Sequence, residues 1–186
     1  MSKECVVLHL KRANYLLESG KEKHMKKMIL SIGILATAVL FSSNLFAGEQ
    51  CTKDDVVNAV NEAVSILENG GKDGLEEVGK MRFCGDNYLF VNDLKGKTLM
   101  HIKPHLIGKV LIGLKDDKGK RFFADFTRVA KSSQTTHNGT TYYNGQGWSS
   151  YRWPKPGEKK FSPKVSYIKG CLASNENVYV GAGIYE

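Results

Sequence analysis

Between Cys51 and Gly71 the chain reads CTKDDVVNAVNEAVSILENGG. Val56, Val60, Ala63, Val64 and Leu67 recur there at helical spacing as one apolar stripe among polar residues. Thr52, three positions before Asp55, predicts a capping box, and Asn69-Gly70-Gly71 predicts the stop. A shorter helix follows from Asp73 to about Lys80. The period then changes to two. NYLFVNDLKGKTLMHIKP predicts strands at Tyr88–Asp93 and Thr98–Ile102 around the turn Leu94–Lys97. HLIGKVLIGLKD, from His105, sustains neither period and reads as loop or short helix. A second helix is predicted from near Lys120, with Phe122, Phe123, Phe126 and Val129 inward. Ser132–Gly147 is polar and glycine-rich and reads as a flexible loop. Strands at Gly147–Trp153, Ser162–Lys169 and Val178–Tyr185 close the chain, turning at Pro154–Gly157 and Ala173–Asn177. Helices, two strands, a helical crossover and three strands predict an α+β domain with a five-stranded antiparallel sheet.

The first 47 residues follow another pattern. Lys26 and Lys27 precede an apolar run, Met28–Phe41, and Ala47-Gly48 is a small-residue cleavage site. That is the layout of a secretory signal peptide. The run is short for a membrane span, which needs about twenty residues. A signal normally starts a chain, so translation is expected to begin at Met25, with residues 1–24 a spurious extension. The 186 residues then divide into a leader, 1–47, and one domain, 48–186. The leader takes seven Lys/Arg and three Asp/Glu out of totals of 27 and 19, so the net charge falls from +8 to 20 − 16 = +4. Half of the net positive charge lay in the leader, which takes most of the support from a nucleic-acid partner. A mild positive balance suits small anions, and the setting is periplasmic or secreted.

Export permits disulfides. The mature cysteines are Cys51, Cys84 and Cys171. An odd count leaves one thiol, and Cys51 with Cys84, each just outside a predicted element, is the favoured pair. No zinc-type spacing, nucleophile elbow or phosphate loop occurs, so no catalytic residue, metal or cofactor is assigned. His101 and His105 are separated by Pro104 and lack a third ligand; a thiol enzyme using Cys171 stays open as an alternative.

The chemistry is concentrated in GWSSYRWPKPGEKKFSPKVSYIKG (Gly147–Gly170). Strand alternation puts Tyr151 and Trp153 on one face, with Trp148, Ser150 and Arg152 on the other. On the next strand Lys164, Ser166 and Ile168 share a face. Two readings are open. The rings form a hairpin core and Lys164 snorkels, or the rings wall a pocket in which Lys164 meets an anion, because a buried lone ammonium is costly. His101 is either a donor to that anion or an exposed strand-end residue, and Tyr88 is a comparable candidate.

The element order resembles the single Cache domain, the extracytoplasmic relative of the PAS fold. The residues that carry the resemblance are YLFVNDLKGKTLMHIKP, LIGKVLIGLKDDKGKRFF, the YRWPKPG and PKVSYIK strands, and VYVGAGIYE, spanning about residues 51–186. The longer Ser132–Gly147 loop departs from the usual pattern. The resemblance implies a long N-terminal helix on one face of a five-stranded sheet and a ligand pocket on the other. It further implies a sensor of small metabolites, with short-chain carboxylates frequent ligands. The site would comprise Tyr151, Trp153, Lys164, His101 and Tyr88, binding a small organic anion and reporting to a membrane-bound chemoreceptor or sensor kinase. No second membrane segment follows in the sequence, so a free-standing periplasmic form is expected. A secreted structural or adhesive domain without a ligand is the competing class.

Overall fold

The computed structural model describes residues 50–186; the expected leader and start site lie outside them. Helix α1 (Lys53–Gly70) begins in the predicted capping box: Asp55 N–H donates to Thr52 Oγ1 at 3.2 Å and Thr52 N–H to Asp55 Oδ2 at 2.8 Å. Gly71 ends it at φ 59°, a left-handed conformation that favours glycine. A short helix α2 (Gly74–Lys80) follows.

One mixed-length antiparallel sheet carries the domain. Its strands are β1 (Arg82–Phe83), β2 (Asn87–Asp93), β3 (Thr98–Met100), β6 (Gln146–Pro154), β7 (Phe161–Ala173) and β8 (Glu176–Tyr185). Their order is β1-β2-β8-β7-β6, with β3 also paired to β2. The five expected strands are all present, and the sixth is β1. Two residues before the Cys84-Gly85 turn show no period, which is why only five were expected. A larger departure is Ser132–Gly147. There β4 (Gln134–His137) and β5 (Thr140–Tyr143) form a hairpin, with Asn138 at φ 48° and Gly139 at φ 76°. Positive φ at both turn residues matches the twist of a two-residue hairpin, and Asn-Gly is the pair that tolerates it. The stretch is therefore a ribbon and not the flexible loop its composition predicted.

The two sheet faces are distinct. Leu89 and Val91 of β2, Val178, Val180 and Ala182 of β8, and Tyr167 and Cys171 of β7 meet the stripe Val56, Val60, Ala63, Val64 and Leu67 of α1. The other face meets α3 (Phe122–Ala130), which starts two residues later than expected. Asp116 delays it by accepting from the Lys118 and Lys120 amides. The same carboxylate accepts Arg152 N–H at 3.1 Å, so the crossover covers the open edge of β6. Satisfying edge groups this way removes a template for pairing with other chains. Among the described residues no helix is long and apolar enough to cross a membrane.

Candidate ligand pocket

Antiparallel register builds the site. Tyr151 of β6 pairs with Lys164 of β7, and Lys164 pairs in turn with Tyr185 of β8, so the three side chains share the α3 face. Phe90 of β2 pairs with Gly181 of β8, which brings Tyr88 and Phe90 to the same face. On β8 this face reads Tyr179, Gly181, Gly183, Tyr185. A Cβ at Gly181 would collide with the Phe90 ring, and one at Gly183 with Ser166 Oγ. Two glycines thus let neighbouring side chains lie across the central strand.

Helix α3 closes over this floor with rings. Phe122 stacks on Tyr151 at 4.6 Å between centroids, and meets Trp153 edge-on at 5.5 Å. Phe126 stacks on Phe90 at 5.5 Å. Such offset and edge contacts are the favourable aromatic geometries. A residual cavity of about 10 Å³ remains, bounded by rings from β2, β6 and α3 and by His101. That is room for about one water. Four of the five expected site residues line it: Tyr88, His101, Tyr151 and Trp153. The fifth, Lys164, stands against Tyr88 outside the lining.

Lys164 is 1% exposed, and its Nζ has no hydrogen-bond partner. It sits 4.1 Å from the Tyr88 ring centroid and 4.7 Å from that of Tyr185. The ring faces favour the cation, but they do not replace the water it has lost. Burial above all, then the nearby charge of Lys103, pushes its pKa down from 10.5 to about 7. No carboxylate among the described residues neutralises it.

His101 is 8% exposed rather than a solvated strand-end residue. The chain turns after it, and Lys103 N–H donates to His101 Nδ1 at 2.9 Å. Because Nδ1 accepts, the neutral ring carries its proton on Nε2. Burial, followed by the charges of Lys164, Lys103 and His105, holds its pKa down at about 3. The imidazole is therefore a neutral N–H donor beside Tyr88, with 5.2 Å between ring centroids. Tyr88 and Tyr151 hydroxyls are pushed above the ordinary tyrosine range, mainly by burial, so both keep their protons. Tyr151 Oη and Ser166 Oγ are 3.0 Å apart.

Other side chains of the site were not anticipated. Lys103 Nζ lies 5.2 Å over the Trp153 ring and reaches Pro154 O at 3.4 Å, while Tyr185 Oη donates to the same carbonyl at 3.0 Å. Arg152, on the opposite side of β6, pairs with Asp117 at 2.8 Å and takes no part in the pocket.

The remaining candidates lie elsewhere. Cys51 and Cys84 are joined by a disulfide across 33 residues, with Cα atoms 5.5 Å apart. Among the described residues, Cys51, Asp55 and Cys84 form the one close group of metal-type donors, and the disulfide occupies both sulfurs. Cys171 is buried on the α1 face, and burial pushes its thiol up to about 12, which suppresses the reactive thiolate. An open depression of about 570 Å³ between α1 and α2, lined in part by Glu62, Ser65, Ile66 and Glu77, is larger than the pocket. None of the orphaned buried polar atoms borders it.

A family model described as a Cache domain matches residues 21–186. The methyl-accepting chemotaxis protein McpP of Pseudomonas putida is 30% identical over 127 residues, 67% of this chain but 21% of that protein. The chain thus spans about a fifth of the curated relative's length. A solved periplasmic sensor domain of a chemotaxis protein superposes with a TM-score of 0.61 at 28% identity, covering 71% of this chain and 93% of the other. A Cache chemosensory domain described for its carboxylic acid recognition superposes with a TM-score of 0.58 at 27% identity, covering 71% and 91%.

Proposed function

The chain belongs to the Cache domain family, and from that premise we propose that it is an extracytoplasmic sensing domain for a small carboxylate. Its bound state would be read by a membrane-bound chemoreceptor or sensor kinase. Export would follow from the leader, with translation from Met25 and cleavage after Ala47 leaving a single domain from Gly48. The observation that carries the ligand class is the unpartnered Lys164 ammonium. A carboxylate offers it the missing charge, while His101 Nε2–H and the tyrosine hydroxyls offer neutral donors. A charge-assisted hydrogen bond of this kind contributes roughly 1.5–3 kcal/mol. Tyr88 lines the residual cavity and lies against Lys164, so a turn of this ring would join the two. The relative that recognises carboxylic acid supports the same ligand class.

A second reading, a secreted structural domain without a ligand, draws on the closed packing of the rings and the small cavity. It leaves the buried ammonium without a purpose. Thermal-shift and calorimetric titrations with acetate, propionate and their uncharged amides separate the two. The sensing reading expects the acids to bind and the amides of equal size to fail. Equal responses to acetate and acetamide, or to neither, would defeat it.

A further inference from the structure

We propose that Lys164 is also a carbonyl-reactive amine, and that the pocket captures a small 2-oxo acid as a reversible imine on its Nζ. The proposal rests on the carboxylate reading of the same pocket, and its test is chosen so that the two can fail separately.

The surroundings of the amine carry it. A lysine is a nucleophile only when neutral, and burial among apolar groups beside a second cation is the setting that keeps it so. Lys164 has that setting. It lies between the Tyr88 and Tyr185 rings with no hydrogen-bond partner, among Tyr88, Tyr151, Tyr185, His101 and Lys103. Lys155 lies 5.8 Å from the Tyr185 ring, and Glu158, the carboxylate that acts on Tyr185, makes no hydrogen bond to the amine. The depressed proton affinity of Lys164 accords with this placement.

A second feature selects the ligand. The cation and donor able to hold an acid group without Lys164 are Lys103, over Trp153, and His101 Nε2–H, which is free because Nδ1 accepts from the backbone. A 2-oxo acid has two ends to match: its carboxylate for these groups, its carbonyl carbon for Nζ.

The step balances without a further reactant. The Nζ lone pair adds to the carbonyl carbon, the nitrogen gives up one proton, and the carbonyl oxygen takes one up. The hydroxyl of this carbinolamine then leaves as water, with the nitrogen's second hydrogen completing it, and a C=N bond remains. Nothing is oxidised or reduced.

Glyoxylate is the probe, with cyanoborohydride added to supply the hydride that fixes the imine. At pH 7 the exposed lysines are neutral in a fraction on the order of one in a thousand. Lys164 should therefore be modified at least about a hundredfold faster than they are. Peptide mass mapping should show the Lys164 peptide gaining the mass of glyoxylic acid less one oxygen, and excess acetate should slow the reaction. Lys164→Met should remove the fast phase, and Lys164→Arg serves in its place should the Met variant not fold. Label spread over exposed lysines, with Lys164 unmodified in a protein that still binds acetate, would overturn the imine and leave the carboxylate reading standing. Loss of both acetate binding and labelling in the folded wild type would overturn both.

Discussion

Replacing Lys164 by Met separates what this residue does for the fold from what it does for a ligand, because the two effects have opposite signs. Met has nearly the same length and volume and no charge, so the packing between Tyr88 and Tyr185 is retained. The native state holds the amine's pKa near 7 instead of 10.5. At 1.36 kcal/mol per pH unit that difference costs roughly 5 kcal/mol when both states are protonated. The sign follows from linkage. Above about pH 10.5 the amine is neutral in both folded and unfolded chains, and the penalty vanishes. As pH falls the unfolded chain takes up the proton first, so the penalty grows until about pH 7, below which it is complete. The two tyrosine rings offset about 2 kcal/mol of it. The ligand-free Met variant should therefore be more stable than wild type by about 2–3 kcal/mol at pH 6. At about 4 °C per kcal/mol this is a rise of roughly 10 °C in Tm. The gap should narrow steadily from pH 7 to pH 10. Acetate at one hundred times its wild-type dissociation constant should stabilise wild type by about 2.7 kcal/mol and the variant, which loses roughly 1.5–3 kcal/mol of binding, by no more than about 1.3 kcal/mol. Differential scanning calorimetry across this pH range, with and without acetate, measures both effects. A Met variant less stable than wild type at pH 6, or one that keeps its acetate response, would refute the reasoning.

Carboxylate binding should require protonated Lys164, so affinity measured by calorimetry should fall about tenfold per pH unit above about pH 7, with uptake of one proton; His101, held near pH 3, should add no step between pH 4 and 6. Non-reducing denaturation followed by alkylation should label Cys171 alone among the mature cysteines, and reduction of the Cys51–Cys84 bridge should lower stability by about 3–4 kcal/mol through the loop it closes. Arg152→Ala should leave acetate affinity within about twofold while costing no more than about 1 kcal/mol of stability, since its partner Asp117 is a surface carboxylate. Intact mass of the exported protein should correspond to a start at or near Gly48; retention of Met25 in the soluble form would remove the signal-peptide proposal.

The sheet and α1 were legible because each rests on one period sustained over several turns or pleats. The stripe from Val56 to Leu67 predicts a helix with one buried face, and strand alternation put Tyr151 with Trp153 and Lys164 with Ser166, while the pairing of Tyr151 with Lys164 that joins the two sets came from the register. Three things were not legible, each for a physical reason. For His101 a pocket donor and an exposed strand end both stayed open, because the turn after it is fixed by a bond from the Lys103 backbone to its ring nitrogen. The hairpin β4–β5 carried its signal in Asn138-Gly139, but its strands, Gln-Thr-Thr-His and Thr-Thr-Tyr-Tyr, hold no fully buried residue to impose a period. The aromatic roof was recognised only as inward-facing. That Phe122 and Phe126 reach the β6 and β2 rings depends on Gly181 and Gly183 lowering the floor beneath them, a long-range fit that VYVGAGIYE states only when laid beside its neighbouring strands.

Among the described residues five buried side-chain atoms lack a hydrogen-bond partner, and Lys164 Nζ is the one that carries a charge. The rings stack, the hydroxyl of Tyr151 finds Ser166, and the strand pairing runs unbroken from β6 to β8. A Leu or Met at this point would satisfy the same packing without an ammonium to desolvate. Local choices that conflict with an otherwise consistent fold are where function is expected. The conflict here is a single positive charge aimed among neutral donors, with no acid supplied by the described residues. A ligand that brings the acid resolves it. Under the proposed function, binding energy gained at Lys164 would be available to turn Tyr88 beneath α3, on a sheet whose opposite face carries α1.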